Sequence, residues 1–423
     1  WGWWLRDLVP ALFGHCPAQE PDPEEDYRLR LFDRVHMALA VSRPVEAARF
    51  GLMYAIRSRR YGQGKHQGRA RIGYSLFLVG DLGNLAASRA NHHLDIGEAL
   101  CHEAKDAQGL LAAAVSRNFL ALLASNWEQV RQVSHDAQLL ARKAGLHGEP
   151  ALLLIETLHL GAEMFGGNPD TTIRVAQRYV EAARARGNKA ALAWPLSMQG
   201  YVYLWQGRRE EAARALTEAL EITPRDPLTV LSVHVELQGL ALDLYDRNYA
   251  EGLAKLEDLN RRWRCGGLVA SSLENASYRL TKARLRLGAA LEAGNVTSCR
   301  IQEGLGWLLP APTSIRVEIL RLEAAIAFHQ RKLGRAHRLL SSSLRLAEKQ
   351  NNKLSAGLAH YGRAVVRQEL GRPGVALDQE RAASLLEDVG CQDCYILRVE
   401  GWSQPEAAPE ERDSTQPTTH AER

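Results

Sequence analysis

From about residue 27 to residue 402, apolar side chains recur at spacings of three and four, the pattern of helices that each bury one face. Ala, Leu, Arg and Glu dominate this span, and Val, Ile, Thr and Tyr seldom alternate with polar residues, so strands are not expected. The clearest unit is 194–224, WPLSMQGYVYLWQGRREEAARALTEALEITP. Here Gly200 is a small residue in mid-helix, where a neighbouring helix can approach closely, and Tyr203 follows it. Gly207 supplies the turn. Ala212 lies on the inner face of a second helix, with Leu216 and Ala219 following at four and seven, and Pro224 ends the unit.

The skeleton of that unit is a small or apolar residue, a turn former seven on, and an apolar residue five further. It repeats along the chain as Val35–Ser42–Ala47, Gly73–Gly80–Leu85, Asn118–Ser125–Val130, Gly161–Asn168–Ile173, Gly200–Gly207–Ala212, Leu240–Arg247–Gly252, Leu287–Gly294–Cys299, Ala327–Gly334–Leu339 and Ala364–Gly371–Ala376. Successive third positions lie 37 to 47 residues apart. The pattern resembles the tetratricopeptide repeat, from its bulky residue (Leu196, beside Trp194) to the closing Pro. HEAT units run ~40–47 residues, so a mixed or HEAT-like array stays open. The expectation is an all-α, right-handed solenoid of about nine degenerate tetratricopeptide-like helix pairs over 27–402, with first helices lining a concave face. Residues 1–26 form an aromatic lead-in and a Pro-rich acidic linker, and 403–423 a disordered tail.

Composition narrows the class. The chain has 423 residues, 46% apolar and 24% charged, with a net charge of +4, too balanced to point to nucleic acid. Six cysteines make no disulfide framework, which suits a reducing compartment. Nothing reads as a secretory signal, and apolar runs such as 151–155 fall far short of the ~20 residues of a membrane span. A cytoplasmic protein is expected. The chain begins at Trp1 and not at Met, which suggests a processed chain or a piece of a longer one. The start, with Trp1, Trp3, Trp4, Leu5 and Leu8, reads as the end of a larger fold, or as a membrane-surface segment.

Catalytic and ligand motifs are sparse. GQGK at 62–65 lacks the first glycine, the Ser or Thr and the preceding strand of a phosphate loop, and reads as a turn between units. Cys391 and Cys394 form CQDC without the βαβ context of a redox pair or a second pair for zinc, so they read as core. His93 and His102 are nine apart, on opposite faces of one helix, which weighs against a shared metal. No G-x-S-x-G, H-E-x-x-H, H-R-D or D-F-G signature occurs. The chain by itself is not expected to be an enzyme, and no cofactor or metal is expected. One charged feature stands out. Between Glu46 and Asp81 there is no acid, while Arg49, Arg57, Arg59, Arg60, Lys65, Arg69 and Arg71 supply seven cations. This strip is the candidate contact surface for an acidic or phosphorylated protein or peptide.

Residues 27–400 resemble the C-terminal repeat region of large bacterial signalling proteins that carry a serine/threonine kinase domain and a STAND-type ATPase module. The resemblance rests on DYRLRLFDRVHMAL at 26–39, on WGWWLRDL at 1–8 and on the long repeat period. It implies a regulatory module that binds a protein or peptide on its concave face, with kinase and ATPase domains upstream as further partners. None of that family's kinase or ATPase residues has a counterpart here. A second resemblance, to the repeat sensor domain of maltose-activator-type transcription regulators, implies a small molecule held inside the superhelix.

Overall fold

The computed structural model describes residues 22–39, 44–61, 64–82, 86–226, 228–265, 272–296, 313–391 and 394–402. Helix makes up 84% of it, and no strand is present among the described residues. The first helices are α1 (Pro23–Leu39), α2 (Pro44–Tyr61), α3 (Gly64–Leu82), α4 (Ala87–Glu103), α5 (Ala107–Leu123) and α6 (Trp127–Ala144). Then come α7 (Pro150–Phe165), α8 (Pro169–Ala185), α9 (Lys189–Trp205), α10 (Arg209–Ile222), α11 (Val230–Tyr245) and α12 (Tyr249–Cys265). The last are α13 (Ser272–Glu292), α14 (Thr313–His329), α15 (Leu333–Lys349), α16 (Lys353–Glu369), α17 (Val375–Asp388) and the short α18 (Tyr395–Val399). The all-α expectation is met, and helices pack against their neighbours in pairs, such as α3 with α4, α9 with α10, and α16 with α17.

Three of the turns between helices follow one local recipe. A residue in the left-handed region breaks the helix, and the next residue caps the following one. Ser125, Gly187 and Asn351 have φ of 58°, 63° and 52°. After them, the side chains of Asn126, Asn188 and Asn352 accept the backbone N–H groups of Gln129, Ala191 and Ser355. The turns inside pairs fall at Ser125, Gly167, Gly207, Arg247, Gly294, Arg331 and Gly371, all with positive φ and 37 to 47 residues apart. These turns match five of the nine skeleton turn positions outright, and the sixth, at Gly167, lies one residue before the expected Asn168. At Ala327–Gly334–Leu339 the register is three residues off: Gly334 is inside α15 and the left-handed residue is Arg331. Gly80 likewise lies within α3. A glycine marks a turn only where the helix ends, and in both cases helical residues continue past it. Ser42, Leu85 and Cys299 fall outside the described residues.

The sequence boundary at 26/27 lies within α1, which starts at Pro23. Proline suits the first helical position, and Glu24, Glu25 and Asp26 favour the positive helix end. Residues 1–21 and 403–423 lie outside the described residues.

Packing follows the expected faces. On α15 the buried positions are Ala336, Leu340, Ser343, Leu344 and Ala347, one stripe at three- and four-residue spacing. Between α9 and α10, a Cβ on Gly200 would meet Leu216 Cγ at 2.6 Å and the Ala212 carbonyl oxygen at 3.1 Å. Only glycine permits that approach. The chain also returns on itself. Trp127 Nε1 donates to the Gln350 carbonyl at 3.0 Å, Asn352 Nδ2 to that of Phe165 at 2.7 Å, and Thr313 Oγ1 to that of Leu123 at 3.3 Å. α18 is buried and packs on α9, α11 and α13.

Candidate functional site

The closure leaves a cavity of about 70 Å³. Its lining comes from α7, α9, α11, α13, α14 and α16, with Ile396 of α18. Apolar side chains form most of the wall, and two arginines stand in it. Arg321, 1% exposed, donates through Nε and Nη2 to the Glu400 carboxylate at 2.8 and 3.0 Å. Trp402 Nε1 donates to the same carboxylate at 3.1 Å. Arg284, 3% exposed, donates to Glu318 at 2.8 Å and lies 3.6 Å from Glu400. Burial alone would lower the Arg284 pKa. The Glu318 carboxylate, helped by Glu400, outweighs that and raises it, so the guanidinium stays charged.

A neutral polar pair sits opposite. His234 stacks on Trp194 with ring centres 3.8 Å apart, and burial holds its pKa down to about 3. Gln238 Nε2 lies 2.9 Å from His234 Nε2. The amide donates there, so the ring's proton is on Nδ1. That Nδ1 has no acceptor. Neither do Trp205 Nε1, Arg284 Nε or Arg321 Nη1, and Gln238 Oε1 has no donor. All five atoms are buried on residues that line the cavity. Buried polar groups are normally paired, so this concentration makes the cavity the candidate site.

Several cations of the basic strip meet acids. Arg49 on α2 is exposed. Arg57 donates to both oxygens of Glu25 at 2.8 and 2.9 Å. Lys65 lies 3.8 Å from Asp26. Arg69 bridges Asp33 at 2.7 Å and Asp106 at 2.5 Å, and Arg71 lies 3.4 Å from His93 Nδ1. Arg59 and Arg60 are in α2, but their side chains lie outside the described residues. Acids from α1 and from the start of α5 thus meet three of the seven cations. They are distant in sequence, which is why an acid-free window looked free.

The remaining motifs are core or surface. Cys391 and Cys394 are buried, and burial pushes the Cys394 thiol up to about 11. His93 is buried and His102 exposed, on opposite faces of α4. No group of three metal-ligating side chains occurs among the described residues. An open groove of about 580 Å³ between α10, α11 and α12 has most of its charges paired, as Lys255–Asp243 and Arg262–Glu236. No described helix is long and apolar enough to cross a membrane.

Sequence reasoning singled out none of the cavity residues. The available signal was a polar residue in an apolar stripe, such as Arg321 in α14 among buried Val317, Leu322 and Ala325. No family model matches the chain, and no curated protein is significantly similar to it.

Proposed function

We propose that this chain is a regulatory helical-repeat module that closes around a small polar ligand and passes the closed state on to a partner protein. The observation that carries this reading is the set of buried, unpaired N–H groups on residues lining an interior cavity. In this reading, the paired helices are degenerate tetratricopeptide-like units of a right-handed solenoid, and the ~40-residue spacing of left-handed turns supports that. The module belongs to a cytoplasmic signalling protein, with kinase and ATPase domains as its output, and is not itself catalytic. An extended peptide along the inner faces is less well supported, because α18 already lies on α9, α11 and α13.

The test is thermal denaturation of the chain against a library of small metabolites. A ligand specific to the folded state stabilises by RT ln(1 + [L]/Kd), about 2.7 kcal/mol at a hundredfold excess over Kd. At least one compound should raise the melting temperature of the wild type and not of Trp205→Phe. If no compound does so, the reading is wrong.

One observation favours a second reading, in which a protein docks on the N-terminal pair. Tyr27, Leu31, Met53 and Ile56 are exposed on α1 and α2, beside the exposed Arg49. Apolar side chains grouped at a surface, with a cation near them, suit a partner with an acidic rim.

A further inference from the structure

The cavity's own charges say what kind of ligand it takes. Two guanidiniums, Arg284 and Arg321, face two carboxylates, the half-buried Glu318 and the buried Glu400, so these four charges sum to zero. A lone anion or cation would add an uncompensated charge beside the buried Arg321–Glu400 pair, which is unfavourable. A ligand with no net charge meets no such penalty.

The hydrogen-bonding groups are asymmetric. Four N–H groups lack acceptors: Arg284 Nε, Arg321 Nη1, Trp205 Nε1 and His234 Nδ1. Two of these belong to cations, and charge-assisted bonds to a carboxylate are the strong ones. A carboxylate offers about four lone-pair sites. On the acceptor side stand Gln238 Oε1, which has no donor, and the Glu318 carboxylate in the cavity wall. An ammonium supplies three donors to such groups. The rest of the wall mixes apolar side chains, among them Leu237, Leu280 and Ile315, with the polar Ser277, Thr281 and Ser355. A volume of about 70 Å³ limits the ligand to a small molecule.

We propose that the cavity binds a free α-amino acid with a small aliphatic side chain, held as its zwitterion. The carboxylate takes the unpaired N–H groups of Arg284 and Arg321, with Trp205 and His234. The ammonium takes Gln238 Oε1 and Glu318, and the side chain lies against the aliphatic wall. The proposal rests on the ligand-binding reading above and specifies its ligand.

Calorimetry on the full chain tests it with L-valine, L-leucine and L-methionine. Two single-charge probes go with them: isopentylamine, without the carboxylate, and 4-methylpentanoate, without the ammonium. At least one amino acid should bind, and both probes should bind at least tenfold more weakly than leucine. Trp205→Phe removes one unpaired N–H and keeps the ring packing, so it should fold normally and weaken amino-acid binding about tenfold. If 4-methylpentanoate binds as well as leucine, the site takes anions and the zwitterion proposal falls. It falls as well if amino-acid binding is unchanged in Trp205→Phe. If no amino acid binds but another metabolite stabilises the wild type and not Trp205→Phe, the ligand-binding reading stands and this assignment fails. If nothing binds, both fail.

Discussion

Glu400 is the residue whose loss should be felt most. It is fully buried, directly after α18, and accepts hydrogen bonds from Arg321 Nε and Nη2 and from Trp402 Nε1. Glu400→Ala would strand Arg321, itself 1% exposed, without its counter-charge, and would leave Arg284 with Glu318 as its remaining carboxylate. Removing one partner of a buried ion pair typically costs about 3–5 kcal/mol. Against a total of roughly 5–15 kcal/mol for a folded protein, that is about a fifth of the stability or more. The surface pair Arg331–Glu369, exposed at 78% and 45%, makes the control, because such pairs are worth about 0–1 kcal/mol. Urea unfolding followed by far-ultraviolet circular dichroism reads both. The double replacement Arg321→Met with Glu400→Leu should recover most of the loss, since it removes both charges and fills the space. If Glu400→Ala costs no more than Arg331→Ala, then Arg321 reaches water or another acceptor. The account of the interior as a dry, charge-paired centre would then be wrong.

Gly200→Leu should lower stability by roughly 1–3 kcal/mol or more, because even a Cβ there meets Leu216 at 2.6 Å; an unchanged urea midpoint would show that α9 and α10 shift apart freely. The His234 pKa of about 3 lies below its unfolded value, so the unfolded state binds the extra proton and stability is lost as pH falls from 6.5 toward 3. Between pH 6.5 and 5 that is about 2 kcal/mol from this residue, at about 1.36 kcal/mol per unit; His234→Phe should flatten the stability-versus-pH curve in that window, and an unaltered slope would contradict the assignment. Cys391→Ser with Cys394→Ser should leave metal content unchanged, and Cys394, with its thiol near 11, should react with alkylating reagents at neutral pH only on unfolding. Metal lost from the double variant, or fast native-state labelling, would reverse that reading.

The helices were legible because their information is local. Periodicity placed them, and the skeleton from Asn118 to Gly371 placed most of the turns, because glycine, serine and asparagine tolerate the left-handed conformation. The register slipped at Gly334 for the same reason: Arg331 takes φ of 60° although nothing in its type announces it. What the sequence hid was pairing across distance. Arg69 looked free because Asp106 is 37 residues away and Asp33 is 36 away. The cavity was hidden more deeply, since Arg284, Arg321 and Glu400 meet only after the C-terminal helices dock. Each reads singly as one more charge on an amphipathic helix.

The polar centre also constrains how the molecule opens. In an ordinary repeat array each unit touches only its neighbours, and stability is close to a sum of local terms. Here the cavity draws on α7, α9, α11, α13, α14 and α16, with Ile396 of α18 at its wall, so its lining is assembled from helices far apart in the chain. The buried arginines make that assembly conditional. With α18 undocked, Arg321 loses Glu400 and is better solvated than left in an apolar wall. With α18 docked, the same charge is paired, but Arg321 Nη1 and Arg284 Nε still lack acceptors. The closed arrangement is therefore complete in packing and incomplete in hydrogen bonding. A ligand that supplies those acceptors stabilises the closed state and gains nothing from the open one. Such a difference in affinity between two states is what a ligand needs in order to shift a conformational equilibrium. In the proposed reading, the hydrogen bonds that join Gln350 to Trp127 and Asn352 to Phe165 would carry such a shift outward.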